Sequence, residues 1–302
     1  MKPKITGRLK DPEFIWPILP AIGPLAWGLL FWAYYNWLDM GSAGANTSDW
    51  LRWKLLYGTA YFALSVALLW NMVIAGLIMW KQLCGYSPKT IKWIGATMLF
   101  FNILAWAFLL VFDAGGVAAD ELLEILANAG APVLKMTMAA NLLAATTTIF
   151  IIASVATLQL PRKNDQLQGV GERIQAYTLS IYSTGGLLGL GIFEIFSLYS
   201  WAANTAAPQE DASILALAKT LPLCAGIVFS LLMVLIYLPV ALRQHSWLKI
   251  QFAKAKKVPP DISLDKWLHQ QGLPASPLNI FGSYVAMLLP FGTGMITKIF
   301  GA

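Results

Sequence analysis

Glu194 is the single charged residue in the run GLLGLGIFEIFSLYSW, Gly186 to Trp201. A carboxyl group in such a setting can carry a proton, hold a cation or fasten neighbouring helices, and the solvent around it decides which. Asn102, Asn141 and Lys135 stand in two other apolar runs, with Lys135 about one and a half helical turns from Asn141. If those runs are neighbours, the four residues form one polar cluster, a candidate ion or proton site. Two roles compete for it. Glu194 either exchanges a proton or cation as it changes partners, or stays neutral or Lys-paired and ties helices or subunits together.

Other reactive residue types are sparse. His245 and His269 are the only histidines, and both follow the last strongly apolar run, which excludes haem held by paired intramembrane histidines. Cys84 and Cys224 are isolated, with no metal-site or disulfide spacing. No metalloprotease helix, nucleophile elbow or phosphate loop is present. The expectation is a protein that is not an enzyme, with no cofactor and no metal site.

The solvent follows from composition. Of 302 residues, 58% are hydrophobic and 12% charged, against about 25% charged in ordinary soluble domains. About 20 apolar residues of helix cross a hydrocarbon core of about 30 Å. Six runs qualify: Trp16 to Leu38, Leu55 to Trp80, Ile91 to Phe112, Val133 to Leu158, Tyr177 to Ala202 and Leu215 to Leu242. Their continuity requires helices, because barrel strands would alternate polar and apolar residues. Pro17, Pro20 and Pro24 interrupt the first run, so it is expected to remain as an uncleaved anchor. Glu194 then lies roughly 12 Å inside the end of the fifth run. An ionisable group at such depth costs about 2.5–3.5 kcal/mol and normally faces protein or a watery cavity.

The fold expected is an all-α polytopic membrane protein. It has six transmembrane helices and, from Leu278 to Phe300, a membrane-inserted seventh helix or re-entrant segment containing Pro290, Gly292 and Gly294. The expected organisation is an N-terminal arm (1–14), a six-helix bundle (15–242), a basic tail with a short amphipathic helix (243–277) and the hydrophobic C-terminal segment (278–302). In the tail, Asp261 or Ser263 can cap a helix in which Leu264, Trp267 and Leu268 share a face. The segment DELLEILANAG predicts a further short helix along the opposite surface.

Charge sets the orientation. Fifteen of the 21 Lys and Arg fall in the N-terminal arm, the second and fourth connections and the stretch 243–257 after the sixth run, whereas the opposite connections gather eight acids. By the positive-inside rule the N-terminus and basic tail are cytoplasmic, consistent with a bacterial inner membrane. The net charge of +6 thus reflects topology and carries no sign of nucleic-acid binding. Lys254, Lys256 and Lys257 form the densest basic run and suit anionic lipid headgroups. Gly185 and Gly189 have the four-residue spacing of close helix crossings, and Thr147 can hydrogen-bond between helices.

The reading that accommodates short polar loops, missing catalytic motifs and sparse intramembrane charge is a non-catalytic membrane subunit of a larger translocation, secretion or transport assembly. Its partners are the bilayer and other membrane subunits or further copies of itself. A self-contained proton- or cation-linked transporter or channel using Glu194 is the second reading, and an intramembrane lipid-modifying enzyme the third. The orientation is tested by cysteines placed at Ser42, Gly116 and Gln209. An impermeant thiol reagent added outside intact cells should label all three, and labelling at Gln166 instead would reverse the topology.

Overall fold

A backbone surrounded by hydrocarbon must satisfy its N–H and C=O groups within its own segment, which leaves the helix as the form for these long apolar runs. A computed structural model describes residues 48–84, 86–111, 132–159, 167–204, 211–254, 262–271 and 281–300. All belong to one unit, Asn46–Ala302. The described residues form seven helices and no strand: α1 (Ser48–Leu83), α2 (Pro88–Val111), α3 (Pro132–Thr157), α4 (Leu167–Ala203), α5 (Asp211–Lys254), α6 (Leu264–Gln270) and α7 (Phe281–Phe300). Five of them, α1 to α5, are long and apolar enough to cross a membrane. The chain is therefore an all-α, multi-pass helical membrane protein. The first expected span, the N-terminal arm, the helix expected within 120–130 and Lys256 and Lys257 lie outside the described residues.

α4 is the hub of the bundle, packing against α1, α5 and α7, while α3 packs mainly on α1 and also touches α4 and α5, and α2 packs on α3. The shared core contains Leu64 and Leu68 of α1, Ile151 and Val155 of α3, Tyr177 and Ile181 of α4, Met233 and Tyr237 of α5, and Ala286 and Met287 of α7. A polar lock fixes α4 against α5. The fully buried Tyr237 hydroxyl lies 2.7 Å from Ser180 Oγ and 2.8 Å from Thr184 Oγ1, and donates to the Ser180 carbonyl at 3.1 Å. Thr147 of α3 reaches the Leu68 carbonyl of α1 at 3.4 Å, besides bonding within its own helix.

The C-terminal segment is one continuous helix through Pro290, with no re-entrant turn between Phe281 and Phe300. Its buried face meets α4 and α5 where small residues admit backbone. A Cβ built on Gly226 of α5 would stand 2.7 Å from the Pro290 carbonyl oxygen, and one on Gly294 of α7 would stand 2.6 Å from that of Pro222. The two antiparallel helices thus exchange the same contact. Each uses a glycine four residues after a proline, in PLCAG and PFGTG. Ser230 Oγ accepts the Phe291 amide at 3.0 Å inside the same seam. On α4, Gly185 faces the Ala286 carbonyl at 2.6 Å and Gly189 faces Thr293 Oγ1 at 3.1 Å, both as positions of an added Cβ. The glycines and proline that would weaken an isolated helix here fit α7 into the bundle.

α4 and α5, at 37 and 44 residues, reach about 55 and 66 Å, longer than a bilayer of about 40–45 Å with its headgroups. α5 therefore does not stop at residue 242. It continues as helix to Lys254, and α4 begins at Leu167, ten residues before the expected span. Burial explains both extensions, since Val170 and Ile174 pack with Leu248, Trp267 and Leu268 where α6 crosses the projecting ends. α6 begins as expected at Ser263, whose Oγ accepts the Lys266 amide at 3.4 Å.

The α5–α7 seam predicts an asymmetry between glycines. Gly226→Ala or Gly294→Ala should lower stability in detergent by about 1–3 kcal/mol through overpacking. Gly76→Ala, where a Cβ meets nothing within 4 Å, should be neutral or gain up to about 1 kcal/mol of helix propensity. Denaturant titration followed by circular dichroism reads the difference.

Candidate functional site

Glu194 sits in α4 on the face turned to α1, buried to 8% exposure. α1 brings Tyr57 and Tyr61 to it, one helical turn apart. Tyr57, Tyr61 and Tyr199 bring their phenolic rings within electrostatic reach of the carboxyl group. The Tyr57 ring stacks on Trp201 at a centroid distance of 5.5 Å and tilts against Tyr61 at 6.2 Å. Tyr57, Tyr199 and Trp201 join Leu198 and Ile214 in a second apolar cluster. That cluster closes the end of the bundle beyond Glu194. Ser197 turns back to donate to the Glu194 carbonyl at 2.8 Å.

The carboxyl group thus lies near phenolic side chains from two helices, α1 and α4. Phenols can donate to a carboxylate or accept from a carboxylic acid, so this arrangement tolerates either protonation state. No group of three or more His, Cys, Asp or Glu suited to a metal ion occurs among the described residues.

The other expected members face elsewhere. Asn102 of α2 donates to the Met98 carbonyl of its own helix at 3.2 Å, while its Oδ1 is buried without a hydrogen-bond partner. Asn141 of α3 lines a groove between α2 and α3. The side chains of Lys135 and Lys254 lie outside the described set. Adjacency of the third and fourth spans holds, as α2 on α3, but the helix opposite Glu194 is α1. The partners that sequence reasoning missed, Tyr57 and Tyr61, carried a readable signal in their four-residue spacing one span earlier. Aromatic residues near span ends ordinarily mark the membrane interface, which masked it.

The α2–α3 groove is the second notable feature. It encloses about 1,090 Å³ and is lined by Trp93, Phe101, Leu104 and Phe108 of α2 facing Ala145, Ile149 and Ile152 of α3. Trp106 Nε1 donates to Thr146 Oγ1 at 3.0 Å to join the helices. None of the most apolar stretch of α2 is buried, against 50% of that of α4. Comparison with protein-family models, curated proteins and solved structures finds no match for this chain.

The Glu194 geometry separates two substitutions. Glu194→Gln keeps shape and hydrogen bonding and should cost less than about 1 kcal/mol. Glu194→Ala removes the polar group facing Tyr57 and opens a void, and should cost about 2–4 kcal/mol. Unfolding in mild detergent should rank the two in that order, and an equal loss would show that the tyrosine contacts do not hold the helices.

Proposed function

We propose that this chain is a non-catalytic integral membrane subunit of a larger translocation, secretion or transport assembly, and that the α2–α3 groove receives a transmembrane helix from a partner subunit. The observation that carries the reading is the contrast between α2 and the rest of the bundle. α2 is held through α3 and turns Trp93, Leu99, Phe100, Ile103 and Phe108 outward, each more than half exposed. Lipid tails could cover those side chains equally well. Asn141 favours a protein instead, because an amide opening onto the groove finds no hydrogen-bond partner among acyl chains, whereas a helix can supply one. The orientation proposed keeps the end bearing α6 and the projecting parts of α4 and α5 in the cytoplasm, in a bacterial inner membrane with the N-terminus on the same side.

Purification from native membranes in mild detergent tests the reading. A membrane protein should co-purify in fixed ratio, and Asn141→Leu should weaken its retention about three- to thirtyfold, matching the roughly 0.6–2 kcal/mol of an interhelical hydrogen bond. A monodisperse monomer with no companion would overturn it.

A second reading, a proton- or cation-linked transporter, draws on the burial of Glu194 among tyrosines. In liposomes containing the purified chain alone, that reading requires flux that Glu194→Gln abolishes while the variant stays folded. Absence of flux from the wild-type chain favours the subunit.

A further inference from the structure

At the basic end of the bundle, where α3 terminates between α4 and α5, a cavity of about 90 Å³ is lined by Leu158 and Gln159 of α3, Val170 and Arg173 of α4, and Val240, Arg243, Gln244 and Trp247 of α5. Among the described residues its polar lining is one-sided in charge, with two guanidinium groups and two side-chain amides and no carboxylate. Gln244 is only 7% exposed, and both its Oε1 and its Nε2 are buried without a hydrogen-bond partner. A whole carboxamide removed from water with neither end satisfied costs about 1–3 kcal/mol per group. The volume is several times the roughly 10–15 Å³ that a single water requires on this measure, and it admits a tetrahedral oxyanion.

We infer that this cavity is a binding site for a phosphate-bearing anion, held by the Arg173 and Arg243 guanidiniums and the Gln244 amide. Guanidinium groups present planar forks that match phosphate oxygens. The Gln244 Nε2 supplies a further donor, and its Oε1 can accept from a protonated phosphate oxygen. Arg173 is buried, whereas Arg243 is exposed on the cavity lining, where an anion would enter. Trp247 beside Arg243 and the exposed Trp80 at the corresponding end of α1 are residue types that favour the headgroup layer. The same chemistry serves the headgroup of an anionic phospholipid or a soluble phosphate, and it stands independently of the subunit reading.

Binding to the full-length protein in detergent tests the inference, with dioctanoyl phosphatidic acid, inorganic phosphate and dioctanoyl phosphatidylcholine as calorimetric titrants. Phosphatidic acid should bind more tightly than phosphatidylcholine. Arg243→Gln, an exposed position whose replacement leaves the packing intact, should weaken it about ten- to a hundredfold, and Gln244→Leu should also weaken it. If inorganic phosphate binds alone and displaces the lipid, a soluble phosphate is sufficient. If phosphatidic acid binds and phosphate neither binds nor competes, the lipid headgroup is the ligand. Indistinguishable binding of the two lipids, or affinity unchanged in the folded Arg243→Gln protein, would overturn the inference.

Discussion

Close backbone approach at small residues is the constraint on which this bundle depends. Lipid tails are as apolar as leucine, so helices in a membrane gain little by hiding apolar side chains from their surroundings. They associate where backbones approach closely or where polar groups meet. α7 is placed in this way, with Gly226 and Gly294 set against the carbonyls of Pro290 and Pro222, and Gly185 set against Ala286. The Tyr237 hydroxyl then fixes α4 on α5 with Ser180 and Thr184, and the stacked Tyr57 and Trp201 rings join α1 to α4.

The same constraint separates α2 from the other helices. Gly95, the glycine of α2, meets nothing within 4 Å, and the Trp106–Thr146 bond is a single polar link to α3. With neither a small-residue seam nor a polar lock of comparable extent, α2 stays at the edge and leaves the groove beside it open. In the proposed function that loosely held edge is the docking surface, and the densely packed α1–α4–α5–α7 group is the platform that holds it. The basic end extends the platform beyond the membrane, where α6 is packed by Trp267 and Leu268 onto α4 and α5.

Much of this was legible in the sequence. Apolar length dictated the helical class, Ser263 marked the start of α6, and the spacing of Gly185 and Gly189 marked a close crossing without naming the helix across it. The limits of α4 and α5 were not legible, because hydropathy falls at a membrane boundary even where the helix continues; Leu248 is silent until Ile174 and Leu268 are seen against it. The surroundings of Glu194 were misjudged for a related reason. Depth along a span can be counted, but the face a residue presents depends on which helices are neighbours. Asn102 and Asn141 lie on α2 and α3, whereas Tyr57 and Tyr61 of α1 are the residues set opposite. Pro290, Gly292 and Gly294 were likewise visible only as residues that interrupt a helix until the reciprocal contact of Pro290 and Gly294 with Gly226 and Pro222 supplied a reason for them.

Site-specific photo-crosslinking in native membranes examines the central claim at its most exposed point. A photoreactive amino acid at Leu104, inside the α2–α3 groove, is compared with one at Val228, which is 59% exposed on α5 away from it. The account predicts a discrete adduct with another transmembrane polypeptide at Leu104 and none at Val228. Lipid adducts alone at both positions would contradict it.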